Sequence, residues 1–433
     1  MRRALAVAAG AAAAVFSLAL AQDMPAGFGP NPSLPAPTRA LIPTMNVAPA
    51  EPWPAGTHPV AAPGLAVNAY AAGLAHPRWL YVLPNGDVLV AETDKPPKPG
   101  DGGGIRAAIM KREMKKAGAA TESANRITLL RGVAPNGTAA SRHVFLENLY
   151  SPFGMALVGT DLYIANADAL LRFPYQEGQT SIGAAGVKVM DLPAGINQHW
   201  TKNVVASPDG KRLYISVGSN SNAGENGIDK EEGRAAIWEF EIASGKARVF
   251  ANGLRNPVGM AFHPQSGVLW TSVNERDELG NDLVPDFMTS VKDGAFYGWP
   301  YSYFGRNVDT RVKPARPDLV ATAVVPDYAL GAHTASLGLA FYDGAPMPGF
   351  RNGALVGQHG SWNRRPHSGY KVIFVPFADG KPSGPPQDVV TGFLSPKGHA
   401  YGRPAGVAVD KAGAILVADD VGNMIWRVTP AAR

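Results

Sequence analysis

Short apolar runs separated by turn residues recur along most of the chain, with the spacing of strands rather than helices. The clearest is Gly253-Leu254-Arg255-Asn256-Pro257-Val258-Gly259-Met260-Ala261-Phe262, which passes through His263-Pro264-Gln265-Ser266-Gly267 into Val268-Leu269-Trp270. A strand, a Gly-containing turn and a second strand fit that order. Other units follow the same plan. Trp79–Leu83 turns at Pro84-Asn85-Gly86-Asp87 into Val88–Glu92, and Phe153–Leu157 turns at Gly159-Thr160 into Leu162–Ala165. Asn203–Ala206 turns at Ser207-Pro208-Asp209-Gly210 into Leu213–Val217. Leu337–Phe341 continues, past an insertion, in Gly353–Gly357, and Pro404–Val409 turns at Asp410-Lys411-Ala412-Gly413 into Ile415–Asp419.

Six imperfect repeats, each a hairpin followed by another β-like run, predict an all-β fold, a six-bladed β-propeller with surface insertions. A sandwich would not need this self-similarity. Met424–Val428 is expected to close the ring beside the first blade's outer strand. The division is residues 1–21, 22–64 and 65–433: a leader, an extended Pro/Ala-rich arm and the propeller. Two stretches break the rhythm. Gly100–Asn125 holds a basic helix-like segment, Ile105–Lys116, read as a surface insertion over one blade in preference to a membrane-resting helix. Glu275–His333 is a long Gly/Pro/Tyr/Trp-rich excursion of the kind that carries function.

Composition narrows the partners. Of 433 residues, 45% are apolar, enough for a sizeable core, and 49 Gly with 38 Pro suit many tight turns. The net charge of +5 favours an anionic ligand, while the lack of any nucleic-acid motif or long basic run argues against DNA or RNA. Without cysteine there are no disulfides, and any metal must use oxygen or imidazole ligands. Arg2-Arg3, the apolar run Ala4–Leu20 and Ala19-Leu20-Ala21 have the order of a secretory signal, predicting export to a periplasm with cleavage after Ala21.

In a propeller the polar residues that matter lie just before each blade's first strand or just after its second. His199, before the third blade and among Asn197, Gln198, Lys202 and Asn203, could accept a proton from a substrate hydroxyl. Arg255 and Asn256 enter from the fourth blade and Arg403 from the sixth, while His359-Gly360-Ser361-Trp362-Asn363-Arg364 follows the fifth. Asn220, Asn222, Glu225 and Asn226, with Asn274, Glu275, Asp277, Asn281 and Asp282, could offer hard oxygen ligands, although none matches an EF-hand loop. No Gly-x-Gly-x-x-Gly opens a helix and no Gly-x-Ser-x-Gly elbow is present, so neither a Rossmann unit nor an α/β-hydrolase is supported.

Gly253–Gly259, Phe296-Tyr297-Gly298-Trp299-Pro300, Gln358–Arg364 and Gly402-Arg403-Pro404 together resemble the soluble quinoprotein glucose and sorbosone dehydrogenases, and Ser123–Thr128 resembles the sorbosone-type branch. The resemblance covers most of the chain. It implies a six-bladed propeller that binds pyrroloquinoline quinone with Ca²⁺ and oxidises an aldose or related sugar or aldehyde, passing electrons to an external acceptor, as a monomer or homodimer. It also implies that His199 is the base and that Arg255 and Asn256 contact the quinone oxygens. Arg403, with Lys202, Trp362 and Arg364, would lie around the cofactor, and the carbonyls of Glu275 and Arg276 would hold calcium. Where the glucose enzymes have an acid before the base, a second Arg in the last blade and a Gly-Pro carbonyl pair, this chain has Gln198, Ala405 and Glu275-Arg276. Two other readings fit a propeller of this shape. One is a calcium-dependent lactonase using residues such as Glu92, Asn220 and Asp419; the other is a non-catalytic binding module.

Overall fold

The hairpins read from the sequence form the inner halves of six four-stranded antiparallel sheets. The computed structural model describes residues 24–38, 44–97, 112–119, 121–344, 346–347 and 349–432. Blade one is Pro77–Val82, Val88–Glu92, Arg126–Arg131 and Ser141–Leu146; blade two is Met155–Val158, Asp161–Ala165, Ala169–Pro174 and Val187–Asp191. Blade three comprises Val204–Ala206, Arg212–Val217, Ala236–Glu241 and Ala247–Asn252. Blade four comprises Pro257–Phe262, Leu269–Val273, Pro285–Ser290 and Tyr328–Ala332. Blade five comprises Ser336–Tyr342, Gly353–Gln358, Lys371–Ala378 and Gln387–Thr391. Blade six joins Pro404–Val409, Ile415–Asp419 and Met424–Pro430 to Leu65–Ala71. The inner strands touch one another in sequence order, and the last touches the first, so the blades surround one axis.

The glycine of the repeat has a physical cause. A Cβ on Gly259 would run into Leu337 and Leu339 of the next inner strand, and one on Gly406 would strike Arg78 and Trp79 of blade one. Neighbouring strands approach too closely around the axis for a side chain at that position. The second strands are buried on both faces, which is why they read as continuous apolar runs: every residue of Val88–Glu92, Leu269–Val273 and Ile415–Asp419 is buried. Between blades, side chains such as Leu89, Leu129, Phe145, Phe153 and Ile164 form a shared core, each worth roughly 1.5–3 kcal/mol of burial.

Two features differ from expectation. Met424–Pro430 does close the ring against the first strand of the propeller, but that strand, Leu65–Ala71, is the outer edge of blade six and not part of blade one. The excursion Glu275–His333 also contains the two outer strands of blade four, with a short hairpin and the helix Pro317–Thr322 between them. The arm lies against the barrel's rim: Phe28 pairs opposite Leu330 in blade four and Val60 opposite Thr391 in blade five. Between these points Asn46 N donates to the Trp362 carbonyl (2.8 Å) and Trp53 Nε1 to Asp419 Oδ2 (2.9 Å). Met1–Ala21 lies outside the described residues, as does most of Ile105–Lys116, of which residues 112–116 form a helical turn. Among the described residues no helix is long and apolar enough to cross a membrane.

Candidate active site at the propeller mouth

His199 sits on the loop between blades two and three, just after Asn197, whose φ of 50° turns the chain. Its backbone N and ring Nδ1 both face the Ser219 carbonyl, at 3.3 and 2.9 Å, and Nδ1 is 3.0 Å from Ser219 Oγ. Ser219 Oγ donates its own proton to the Ser221 carbonyl (2.6 Å), so the imidazole must be the donor at Nδ1. The tautomer is thereby fixed, and Nε2 keeps its lone pair with no protein partner among the described residues. Burial, then the Arg255 charge, hold the imidazole well below its ordinary pKa, so it is neutral. Gly218 permits this arrangement, because a Cβ there would collide with both His199 Cβ and Asn256 Oδ1.

Arg255 is buried and heavily engaged. Nη1 donates to the carbonyls of Glu275 (2.7 Å) and Asn274 (3.2 Å), Nε to the Asn222 carbonyl (3.2 Å) and Nη2 to Asn222 Oδ1 (3.0 Å). Its remaining direction is toward Asp277 Oδ2 at 3.6 Å. Burial would raise Asp277, but bonds from His333 (3.2 Å) and Asn363 (2.8 Å) and the Arg255 charge hold it at about 2. His333, which burial alone would lower, is raised by the same carboxylate. Beside Arg255, Asn256 leaves its Oδ1 buried without a partner.

The expected calcium ligands do not present an open cation site. The Glu275 carbonyl already accepts from a guanidinium, and the Arg276 side chain is fully buried behind it. Arg276 donates to Glu275 Oε2 (3.0 Å), Asp309 Oδ2 (3.1 Å) and the carbonyls of Pro300 (2.8 Å) and Ser302 (2.7 Å). Arg255 takes the Glu275 carbonyl, and the Glu275 and Asp309 carboxylates are turned to Arg276, so the oxygens nearest this pair are already engaged by guanidinium groups.

Arg403 behaves differently from Arg255. It is buried, its guanidinium carbon is 4.8 Å from the centre of the Tyr370 ring, and its one long hydrogen bond runs from Nη1 to the Gly360 carbonyl (3.3 Å). Its Nε and Nη2 have no partner among the described residues. Unspent donors on a buried cation suit the carboxylates of an anionic ligand.

Two residues expected around the cofactor, Lys202 and Arg364, are employed elsewhere. Lys202 is fully buried, and its ammonium is sealed between Asn197 Oδ1 (3.0 Å) and the Trp200 carbonyl (3.2 Å), so it braces the His199 loop. Arg364 pairs with Asp282 on the rim (2.6 Å), and Trp362 is half-buried, its carbonyl accepting from Asn46 of the arm. The carboxylates of the lactonase reading are also engaged. Glu92 accepts from Arg126 (2.7 Å), Thr128 and Ala75 N, and Asp419 from Trp53, Trp426 and the amides of Arg403 and Gly422. Asn220 Oδ1 lies 3.5 Å from Gln198 N. Among the described residues no group of three or more His, Asp or Glu side chains is placed to hold a metal ion.

The structure also brings to the mouth residues that were not singled out. Asp420 follows blade six's second strand, and His76 precedes blade one's first strand with Arg78 inside it; His76, Arg78 and His359 all meet Asp420. The positional rule that found His199 reaches Asp420 and His76 as well. Their neighbours in sequence gave no second signal.

The sequence has relatives of known kind. It is 30% identical over 241 residues to an uncharacterised protein of Borreliella burgdorferi, covering 55% of this chain and 62% of that one. It is 28% identical over 163 residues to an aldose sugar dehydrogenase of Escherichia coli, covering 34% and 42%. It is also 28% identical over 230 residues to a pyrroloquinoline quinone-dependent pyranose dehydrogenase of Coprinopsis cinerea, covering 43% and 31%. The matched segments thus span less than two thirds of these relatives' length. Among solved structures, the holo quinone domain of the Coprinopsis cinerea pyranose dehydrogenase superposes with a TM-score of 0.67 at 21% identity, covering 89% of this chain and all (100%) of that one. A Trichoderma reesei carbohydrate-active enzyme of family AA12 gives 0.69 at 18%, covering 89% and 99%. The sequence profile of the TrAA12-like family matches residues 59–293 and 319–431, and this chain, a six-bladed propeller like its neighbours, belongs to that family.

Proposed function

We propose that this protein is a quinone-dependent sugar dehydrogenase that binds pyrroloquinoline quinone at the mouth and oxidises an aldose or related aldehyde of the sorbosone type. The observation that carries the reading is a buried cation with unspent valence and a base with a free lone pair, each on a loop entering the first strand of its blade at the same end of the ring. Among the described residues Arg403 has two unpartnered donors, and His199 an unprotonated Nε2. A rigid acid with three carboxylates and two quinone oxygens uses such groups. The quinone, when bound, supplies the two-electron acceptor for hydride leaving the hydroxyl-bearing carbon. His199 takes the hydroxyl proton at Nε2, and its bond to Ser219 steadies the imidazolium that results. Arg403 would hold carboxylates, the Asn256 side-chain N–H would donate to a quinone oxygen, and Arg255, together with burial, keeps His199 neutral while lending positive field. Calcium has no part in this reading, because the Glu275 carbonyl is occupied. An external acceptor completes the cycle. Export after cleavage at Ala21 belongs to the same reading, and mature protein should begin at Gln22.

The test is titration of apo-protein with the quinone, followed by absorbance. Saturable binding is expected, and Arg403→Ala should weaken it about tenfold or more, since a hydrogen bond to a charged group is worth roughly 1.5–3 kcal/mol. Sugars should then reduce a dye in the presence of the loaded protein. A wild-type protein that binds no quinone would end the proposal.

A further inference from the structure

Across the mouth from Arg255, blades five, six and one assemble a second polar group that the quinone chemistry does not use. Its centre is Asp420, whose side chain is fully buried. Oδ2 accepts from His359 Nε2 (2.8 Å) and Arg78 Nη1 (2.5 Å), with His76 Nε2 at 3.6 Å. Among the described residues its other oxygen, Oδ1, is buried without a partner, and so is Arg78 Nε. Because Nε2 of His359 faces the carboxylate, that nitrogen carries the hydrogen and Nδ1 holds a lone pair. The His359 and Arg78 side chains keep 18% and 14% of their surface exposed, so each shows an edge to the mouth. The Arg78 guanidinium lies 5.9 Å from the centre of the Trp200 ring, next in sequence to His199.

The valences left over decide what such a group can hold. An anionic ligand would face the Asp420 charge, and a simple cation would face Arg78. A hydroxyl both donates and accepts, so it can give its hydrogen to Asp420 or His359 while accepting from Arg78. Two adjacent hydroxyls would use all three. We infer that Arg78, His359 and Asp420 form a subsite for the hydroxyls of a sugar ring, remote from the carbon oxidised beside His199. Which carbon reacts rests on the function proposed above; the binding itself does not.

The two can be separated with sugars that lack an anomeric hydroxyl. Full-length protein, with and without quinone, is titrated calorimetrically with 1,5-anhydro-D-glucitol, 1,5-anhydro-D-mannitol and 1,5-anhydro-D-galactitol. At least one should bind saturably. Asp420→Asn keeps the shape but removes the charged acceptor, and should weaken that binding about tenfold or more, with quinone affinity held within about threefold. If Asp420→Asn does not fold, His359→Ala serves, because it removes a part-exposed ring and leaves the Arg78–Asp420 pair in place. No binding of any anhydrohexitol to wild type overturns the subsite, whatever the quinone does. So do folded variants that bind within about twofold of wild type, or variants that lose quinone affinity to the same degree. A wild type that binds no quinone, yet binds an anhydrohexitol that the variants lose, keeps the subsite and rejects the dehydrogenase reading.

Discussion

His199 owes its chemistry to a serine hydroxyl that has nothing left to donate. Ser219 Oγ gives its proton to Ser221, which fixes the imidazole hydrogen on Nδ1 and points an unprotonated nitrogen outward. His199→Gln keeps hydrogen-bonding capacity without a titratable nitrogen. Turnover in that variant should fall by about 10²–10⁴-fold while the bound quinone's absorption spectrum persists. Normal turnover would remove the role. The pH behaviour follows from the lowered pKa. The folded state holds His199 neutral below its ordinary 6.5, so the base survives as pH falls, and the unfolded chain takes up the proton first. His199 therefore costs stability as pH drops below 6.5. Histidine-labelled apo-protein should show it still neutral at pH 6.5 by NMR, and a midpoint at or above that value would contradict the geometry. The calcium expectation also turns at this scale. With the Glu275 carbonyl engaged by Arg255, chelator dialysis should change quinone affinity by less than about threefold, within the range of weak screening effects. A larger loss, restored by Ca²⁺, would return the ion to the site.

Loops and strands explain which parts of the site were legible in the sequence. His199, Arg255, Asn256 and Arg403 could be found because each lies one or two turns of chain from a recognisable inner strand. Lys202 satisfied the same positional rule, yet three residues of chain cannot reveal that its ammonium folds back under the loop. Two buried cations, Lys202 and Arg234, converge on Asn197 Oδ1 at 3.0 and 3.2 Å, and Arg234 also holds the Ala194 carbonyl (2.6 Å). Neither makes a hydrogen bond or ion pair to a carboxylate. The outer strands of blade four were hidden for another reason: Pro285–Ser290 and Tyr328–Ala332 lie within a stretch whose Gly, Pro and aromatic content reads as loop. Lys202→Met tests the loop brace. It replaces a buried cation held only by neutral oxygens with an apolar chain of similar volume, removing the cost of burying that charge. It also releases the backbone that carries His199, and a misplacement near 1 Å can cost about 10²-fold in rate. The melting temperature should hold or rise while kcat falls about tenfold or more. A parallel loss of both would make Lys202 a general structural residue, and unchanged kcat would deny it any hold on His199.

At the scale of the whole molecule, the mouth exists only because the ring is closed, and closure joins the two ends of the described chain. Leu65–Ala71 pairs along Met424–Pro430 from Leu65 opposite Pro430 to Ala71 opposite Ile425. The hydrophobic pattern showed that the final strand needed a partner. It could not show that the partner completes the last blade, because an outer strand with one buried face, as in Leu65–Ala71, carries the same alternation in either sheet. Blade six also supplies Arg403 and Asp420, so an unpaired outer edge would loosen one side of the site as well as expose backbone groups to solvent. Two truncations separate this effect from that of the arm. A chain beginning at Gly64 loses Phe28–Gly29, Val60–Ala61 and the Trp53–Asp419 bond but keeps the closing strand; one beginning at Ala72 loses that strand too. The first should retain a single unfolding transition and measurable quinone binding. The second should melt at least roughly 5 °C lower than the first, the shift expected for a few kcal/mol in a chain of this size. Its quinone affinity should fall further than its melting temperature alone explains, because Arg403 sits on the blade left without an edge. Equal melting and equal quinone affinity in the two truncations would mean that the ring holds without its closing strand, and that the mouth is organised by the inner strands alone.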